Sequence, residues 1–128
     1  MTGLAQYRQV NAVSQVQDAS PHRLIQVMFE GLLTRLATAR GQIERRDYQG
    51  KGQSIHNALA IVDALQQCLD LERGGDLARN LDALYDYVTR RLFTANVDNS
   101  VALIDEVVDL VQRVKSGWDA IDPKERAR

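Results

Sequence analysis

The chain has a single cysteine and only two prolines among its 128 residues. A lone Cys68 excludes an internal disulfide and fits a reducing compartment. Taken by itself, it is a small apolar side chain packed in a helix. The prolines, Pro21 and Pro123, sit near the two ends, so the long stretch between them holds no helix breaker of that kind. Aromatic residues make up only 5% of the chain, so a core must be assembled from Leu, Val, Ile and Ala. Neither sign of charge is in excess, since 16 basic and 17 acidic residues leave a formal net charge of −1. Such a balance gives no field to hold a nucleic acid or an anionic membrane, and the Arg45-Arg46 and Arg90-Arg91 pairs are too short to form a binding stripe. No apolar run approaches the roughly 20 residues of a membrane span. The first residues lack the basic start and apolar stretch of a signal peptide. These absences point to one cytoplasmic domain with a single core and no stable membrane insertion.

Catalytic chemistry is equally scarce. His22 and His56 are the only histidines, and neither has a Glu three residues before it, as a metal-binding bundle would require. Gly-rich phosphate loops, paired-carboxylate clefts and nucleophile elbows are all missing. No catalytic, cofactor-binding or metal-ligating residue is expected. A histidine phosphotransfer domain is the nearest enzymatic alternative, because such domains are helical bundles of this size with an exposed His on the second helix. Their sites resemble His-x-Leu-Lys-Gly, whereas this chain has His56-Asn57-Ala58-Leu59-Ala60, without the Lys that steadies the phosphoryl charge. Fold alone cannot carry that function. A binding role remains, as a chaperone or as a structural helical adaptor.

What is present is helical periodicity. Ser20 followed by Pro21 is a capping pair, and Leu24, Ile25, Met28, Phe29, Leu32, Leu33, Leu36, Ala39 and Ile43 continue the period to about Arg46. Asp47 is the next cap, and a second helix runs through Ile55, Ala58, Leu59, Val62, Leu65 and Leu69 to about Arg73, its opening weakened by Gly50 and Gly52. Gly74-Gly75 reads as the end of that helix and a turn. The third helix places Leu77, Leu81, Leu84, Val88, Leu92 and Ala95 on one face, with Tyr85 and Tyr87 on either side. Asp98-Asn99-Ser100 caps a fourth, which carries Ile104, Val108, Val111 and Trp118 on one stripe and Leu103, Val107, Leu110 and Val114 on the next. The expected fold is all-α: an antiparallel up-down four-helix bundle over residues 18–118, with helices roughly 30–40 Å long. Residues 1–17 form a loosely held N-terminal segment, and 119–128 form a charged tail.

The residues resemble the flagellar export chaperones of the FliS family. The resemblance rests on Tyr7 with Val10, Ala19-Ser20-Pro21-His22-Arg23-Leu24-Ile25, Met28-Phe29-Glu30-Gly31 and Asp70-Leu71-Glu72-Arg73-Gly74-Gly75. It continues through Asn80-Leu81, Leu84-Tyr85-Asp86-Tyr87, Leu92 and Ala95-Asn96 to Trp118. No single piece is specific, but their order and spacing are. The resemblance implies a cytoplasmic chaperone that binds the C-terminal segment of flagellin, prevents premature polymerisation and helps deliver it to the export gate of the flagellar type III secretion apparatus, without hydrolysing nucleotide. It also implies that the flagellin segment wraps around the outside of the bundle, and that the N-terminal segment occupies part of that groove when flagellin is absent.

Surplus apolar positions fit this expectation. Ala58, Ile61, Leu65 and Cys68 on helix two, and Leu103, Val107, Leu110 and Val114 on helix four, exceed what one bundle seam buries. Asn80, Ala83 and Tyr87 flank the Leu81–Leu84 stripe on helix three. Surfaces of this kind take an amphipathic partner helix. The expected partner-binding residues are therefore Tyr7, Val10, Ala58, Ile61, Leu65, Cys68, Asn80, Leu81, Leu84, Tyr87, Leu103, Val107 and Leu110. Left uncovered, the same surface could pair two copies into a homodimer.

Overall fold

In the computed structural model, which describes residues 20–121, four α-helices and no strand are found. They are α1 (Pro21–Glu44), α2 (Tyr48–Gln67), α3 (Gly75–Asp98) and α4 (Val101–Asp119). Three of the four starts follow from side-chain caps. Ser20 Oγ accepts from the Arg23 N–H, Asp47 from the Gly50 N–H and Ser100 Oγ from the Leu103 N–H, each satisfying one of the donors a helix leaves open at its start.

Cross-helix hydrogen bonds fix the direction of every neighbour. Ser54 Oγ donates to Gln42 Oε1 at 2.6 Å, and Gln66 Nε2 donates to Asp82 Oδ1 at 2.9 Å. Arg40 Nε meets Asp105 Oδ1 at 2.8 Å, and Tyr87 Oη donates to Glu106 Oε2 at 2.8 Å. Each helix thus runs antiparallel to the next around a closed ring α1–α2–α3–α4, in which α4 returns to α1. At the end where the described chain begins, His22 and Trp118 tie α1 to α4. His22 Nε2–H donates to the Trp118 carbonyl at 2.8 Å, Trp118 Nε1–H donates to the His22 carbonyl at 3.0 Å, and the rings stack 5.0 Å apart.

The core runs down the middle of the ring. Met28, Phe29, Leu32 and Leu36 of α1 meet Ile55, Val62 and Leu65 of α2, Val88 and Leu92 of α3, and Ile104 and Val107 of α4, all fully buried. Interior crowding of this kind leaves little room for a change of volume.

Three expectations need correction. First, α2 stops at Gln67 rather than near Arg73. Asp70 causes this, because its carboxylate accepts from the N–H groups of Glu72 and Arg73 and turns the backbone out of the helix. Second, Gly74 opens α3 instead of closing α2. A Cβ there would come within 2.7 Å of the Asp70 carbonyl and 2.5 Å of Ala78 Cβ, so the tight passage into α3 requires glycine. Third, Tyr85 is buried rather than on a flank. Burial, followed by the neighbouring Cys68, pushes its phenol well above the ordinary range.

Candidate partner-binding seam

The early end of α2 decides what α3 exposes. Gln66 lies level with Asp82, so the first turns of α3 run past the last turn of α2. Along the α3 stripe, Val88, Leu92 and Ala95 are sealed, Leu81 and Leu84 are half-buried, and Leu77 is 58% exposed. The apolar face that begins in the core therefore emerges at the surface toward the N-terminal half of the helix.

Helical period places Leu77, Asn80, Leu84 and Tyr87 on the side of α3 turned to α4. On α4, Leu103, Glu106, Leu110, Val114 and Gly117 recur on the side turned to α3. Leu84, Leu103 and Val114 pack against the core with part of their surface in solvent, and Leu110 is likewise half-buried. A Cβ added at Gly117 would meet nothing within 4 Å, so the seam is open at that end.

A polar strap crosses it. Glu106 accepts from Tyr87 Oη at 2.8 Å and from Arg91 Nε at 2.7 Å. The guanidiniums of Arg91 and Arg90 lie 5.7 Å and 5.9 Å from the Tyr87 ring centroid. The Arg91 hydrogen bond, then that of Tyr87, holds the Glu106 carboxyl below its usual range. Donating to Glu106 in turn raises the Tyr87 phenol. With Glu106 lowered, the strap stays intact above the ordinary carboxylate range and is lost only as pH falls through the depressed value. Exposed ion pairs of this kind add little to stability, so the strap chiefly fixes the shape of the seam.

The structure divides the sequence-derived binding residues into three groups. Asn80, Leu81, Leu84, Tyr87, Leu103 and Leu110 reach the surface along α3 and α4. Ala58, Ile61, Leu65 and Val107 do not, because all four are buried. A helix in a closed ring has two neighbours, and these four positions are consumed by the second of them. Cys68 is exposed at the C-cap of α2, not packed within a helix, and it lies on the α2 side away from the seam. Tyr7 and Val10 fall outside the described residues. Periodicity missed Leu77 as an exposed seam residue, since only the end of α2 uncovers it. It missed Phe93 and Val97 altogether, because they stand beside the core stripe.

No grouping of His, Cys, Asp and Glu among the described residues is suited to a metal ion. His56 is exposed on α2, one residue before Asn57, whose side chain accepts from Gln53.

Comparison with known proteins gives a consistent picture. A family model described as flagellar protein FliS matches residues 3–125. The chain is 51% identical over 121 residues to the flagellar secretion chaperone FliSB of Pseudomonas aeruginosa, covering 94% of this chain and 96% of that protein. Against the flagellar secretion chaperone FliS of Salmonella typhimurium it is 41% identical over 124 residues, covering 96% and 92%. A crystal structure of a bacterial flagellar chaperone shares the fold, with a TM-score of 0.73 over 90% of each chain at 19% sequence identity. An open apolar seam suits what these relatives are named for, and the chain belongs to the FliS family of flagellar secretion chaperones, which are not enzymes.

Proposed function

We propose that this chaperone works in the cytoplasm and holds the C-terminal segment of flagellin along the α3–α4 seam. Covering that segment prevents premature polymerisation, and the complex is then delivered to the export gate of the flagellar type III secretion apparatus. The observation that carries this reading is the half-buried row of Leu84, Leu103, Leu110 and Val114, with Leu77 mostly exposed, on a chain whose relatives are secretion chaperones. Such a row suits an amphipathic helix with anchors three and four residues apart. Among the described residues no helix is long and apolar enough to cross a membrane.

Magnitudes agree with a reversible chaperone. Each Leu-sized anchor contributes roughly 1.5–3 kcal/mol when fully buried, and ordering a disordered tail offsets much of the sum. The balance falls in the micromolar to nanomolar range, tight enough to protect and loose enough to release. Co-purification with flagellin tests the proposal. Full-length flagellin is expected to be retained, and flagellin lacking about its last forty residues, a length set by the helices it must span, is expected to be lost. Equal retention of both forms contradicts it.

Residues 1–17 have a role in the same scheme. Leu4, Tyr7 and Val10 occupy part of the seam when flagellin is absent, and flagellin displaces them by binding more tightly. Deleting residues 1–14 is expected to leave the melting temperature unchanged while shifting flagellin affinity. Unchanged affinity with an intact fold rejects the competition. The same uncovered surface pairs two chaperones when neither flagellin nor the N-terminal segment covers it.

A further inference from the structure

The apolar row of the α3–α4 seam is interrupted by an ion pair. Leu103 stands one turn before Glu106 on α4 and Leu110 one turn after it, while Leu84 stands one turn before Tyr87 on α3. The Tyr87–Glu106–Arg91 strap therefore divides the row, with Leu103 on one side and Leu84, Leu110 and Val114 on the other. A helix that touches both parts of the row must lie over the strap. Arg91 and Glu106 each keep 36% of the side chain in solvent, so such a helix takes water from an ion pair. That is costly unless the covering surface supplies hydrogen bonds of its own.

The strap has capacity left in both directions. Arg91 presents its Nε–H to Glu106, and among the described residues its terminal N–H groups have no hydrogen-bond partner. Glu106 accepts one bond on each oxygen, and a carboxylate oxygen has room for a second. Whatever covers the pair must accept from a guanidinium and donate to a carboxylate. A carboxylate in the occupant would satisfy Arg91 and face Glu106, and an ammonium would do the reverse. The surrounding charge favours neither. Arg90 lies 5.9 Å from the Tyr87 ring centroid, Asp98 lies two turns beyond Arg91 on the same side of α3, and Arg113 is paired with Asp109. A side-chain amide is uncharged and carries an acceptor and donors on neighbouring atoms. The chain's own N-terminal segment, which shares the seam in the proposed scheme, is rich in that group. Residues 1–17 include Gln6, Gln9, Asn11, Gln15 and Gln17, and their one charged side chain is Arg8.

We propose that the strap is a specificity subsite that takes the side-chain amide of an Asn or Gln in the flagellin helix. The amide oxygen accepts from a terminal N–H of Arg91, and the amide nitrogen donates to Glu106. The proposal rests on the reading of the seam as the flagellin site and adds what fixes the helix along it. Apolar anchors three and four residues apart tolerate a slip of one turn, because each leucine then meets the next. One amide over one strap does not. A buried Asn in the apolar stripe of a coiled coil sets register by the same means.

The test titrates the full-length protein with a flagellin C-terminal peptide and with versions in which each Asn is replaced in turn by Leu and each Gln by Met. One replacement is expected to weaken binding at least about tenfold, because it leaves the covered ion pair without partners. The Arg91 Nε–H signal is expected to shift with the parent peptide and to stay in place with that one. Arg91→Met with Glu106→Met makes the strap apolar, and an exposed pair adds little stability, so the melting temperature is expected to hold. On this variant the weakened peptide is expected to bind at least as tightly as the parent peptide. Comparing two peptides on one protein cancels any change in competition from residues 1–17. A parent peptide that moves Leu84 and Leu110 while no replacement weakens it tenfold, or while the Arg91 Nε–H signal stays in place, overturns the subsite alone. An equal loss on the apolar variant does the same. A parent peptide that binds without moving Leu84 and Leu110 overturns the seam reading and the subsite together.

Discussion

Leu77→Asp combined with Leu110→Asp is expected to lower affinity for a flagellin C-terminal peptide at least about 100-fold, or about 2.7 kcal/mol, while the protein remains folded. Both side chains lie on the α3–α4 side, Leu77 mostly exposed and Leu110 half-buried outside the sealed core, so the free protein tolerates their replacement. The helix-propensity cost of Asp against Leu is below about 1 kcal/mol at each position. In the complex the balance reverses. Two apolar anchors disappear, and two carboxylates must be stripped of water against an apolar partner face. Circular dichroism melts and titration calorimetry measure the two effects separately. A double variant that melts normally and binds flagellin as well as the parent would show that the partner lies elsewhere.

Phe29→Ala is expected to cost about 3–5 kcal/mol of stability, seen as a lower denaturant midpoint with an unchanged slope. Phe29 is fully buried among α1, α2 and the rest of the core cluster, and truncating it leaves a cavity that packed neighbours can only partly fill. For a domain of ordinary stability, about 5–15 kcal/mol, that is a large share. The chain's other phenylalanine makes the contrast. Phe93 is mostly in solvent, and Phe93→Ala is expected to change stability by no more than about 0.5 kcal/mol. A similar loss at both positions would mean that the bundle is packed differently from this structure.

These two phenylalanines also show where sequence reasoning succeeds and stops. Phe29 falls on the three-and-four spacing of α1, and the same spacing identified Met28, Leu32, Leu36, Val88 and Leu92, all of them sealed in the core. Helix starts were legible because Ser20, Asp47 and Ser100 are local signals, each acting on an N–H three residues later. The end of α2 was not. Its apolar period continues through Leu69, and only the turn made by the Asp70 carboxylate cuts it short. The exposure of Leu77 follows from that turn, so it was hidden for the same reason. Ala58, Ile61, Leu65 and Val107 were read as surplus because a one-dimensional pattern counts apolar positions without saying how many neighbours share them. The closed ring gives each helix two. Phe93 and Val97 posed the opposite problem: off the stripe, they carried no periodic signal, and only packing shows that nothing in the described chain covers them.

The account stands most directly on which leucines a bound flagellin tail touches. Methyl-labelled full-length protein titrated with a flagellin C-terminal peptide is expected to show large shifts at Leu77, Leu84, Leu103 and Leu110, while Leu36 and Leu92 in the sealed core move little. Saturable binding that leaves the first four unmoved would contradict it.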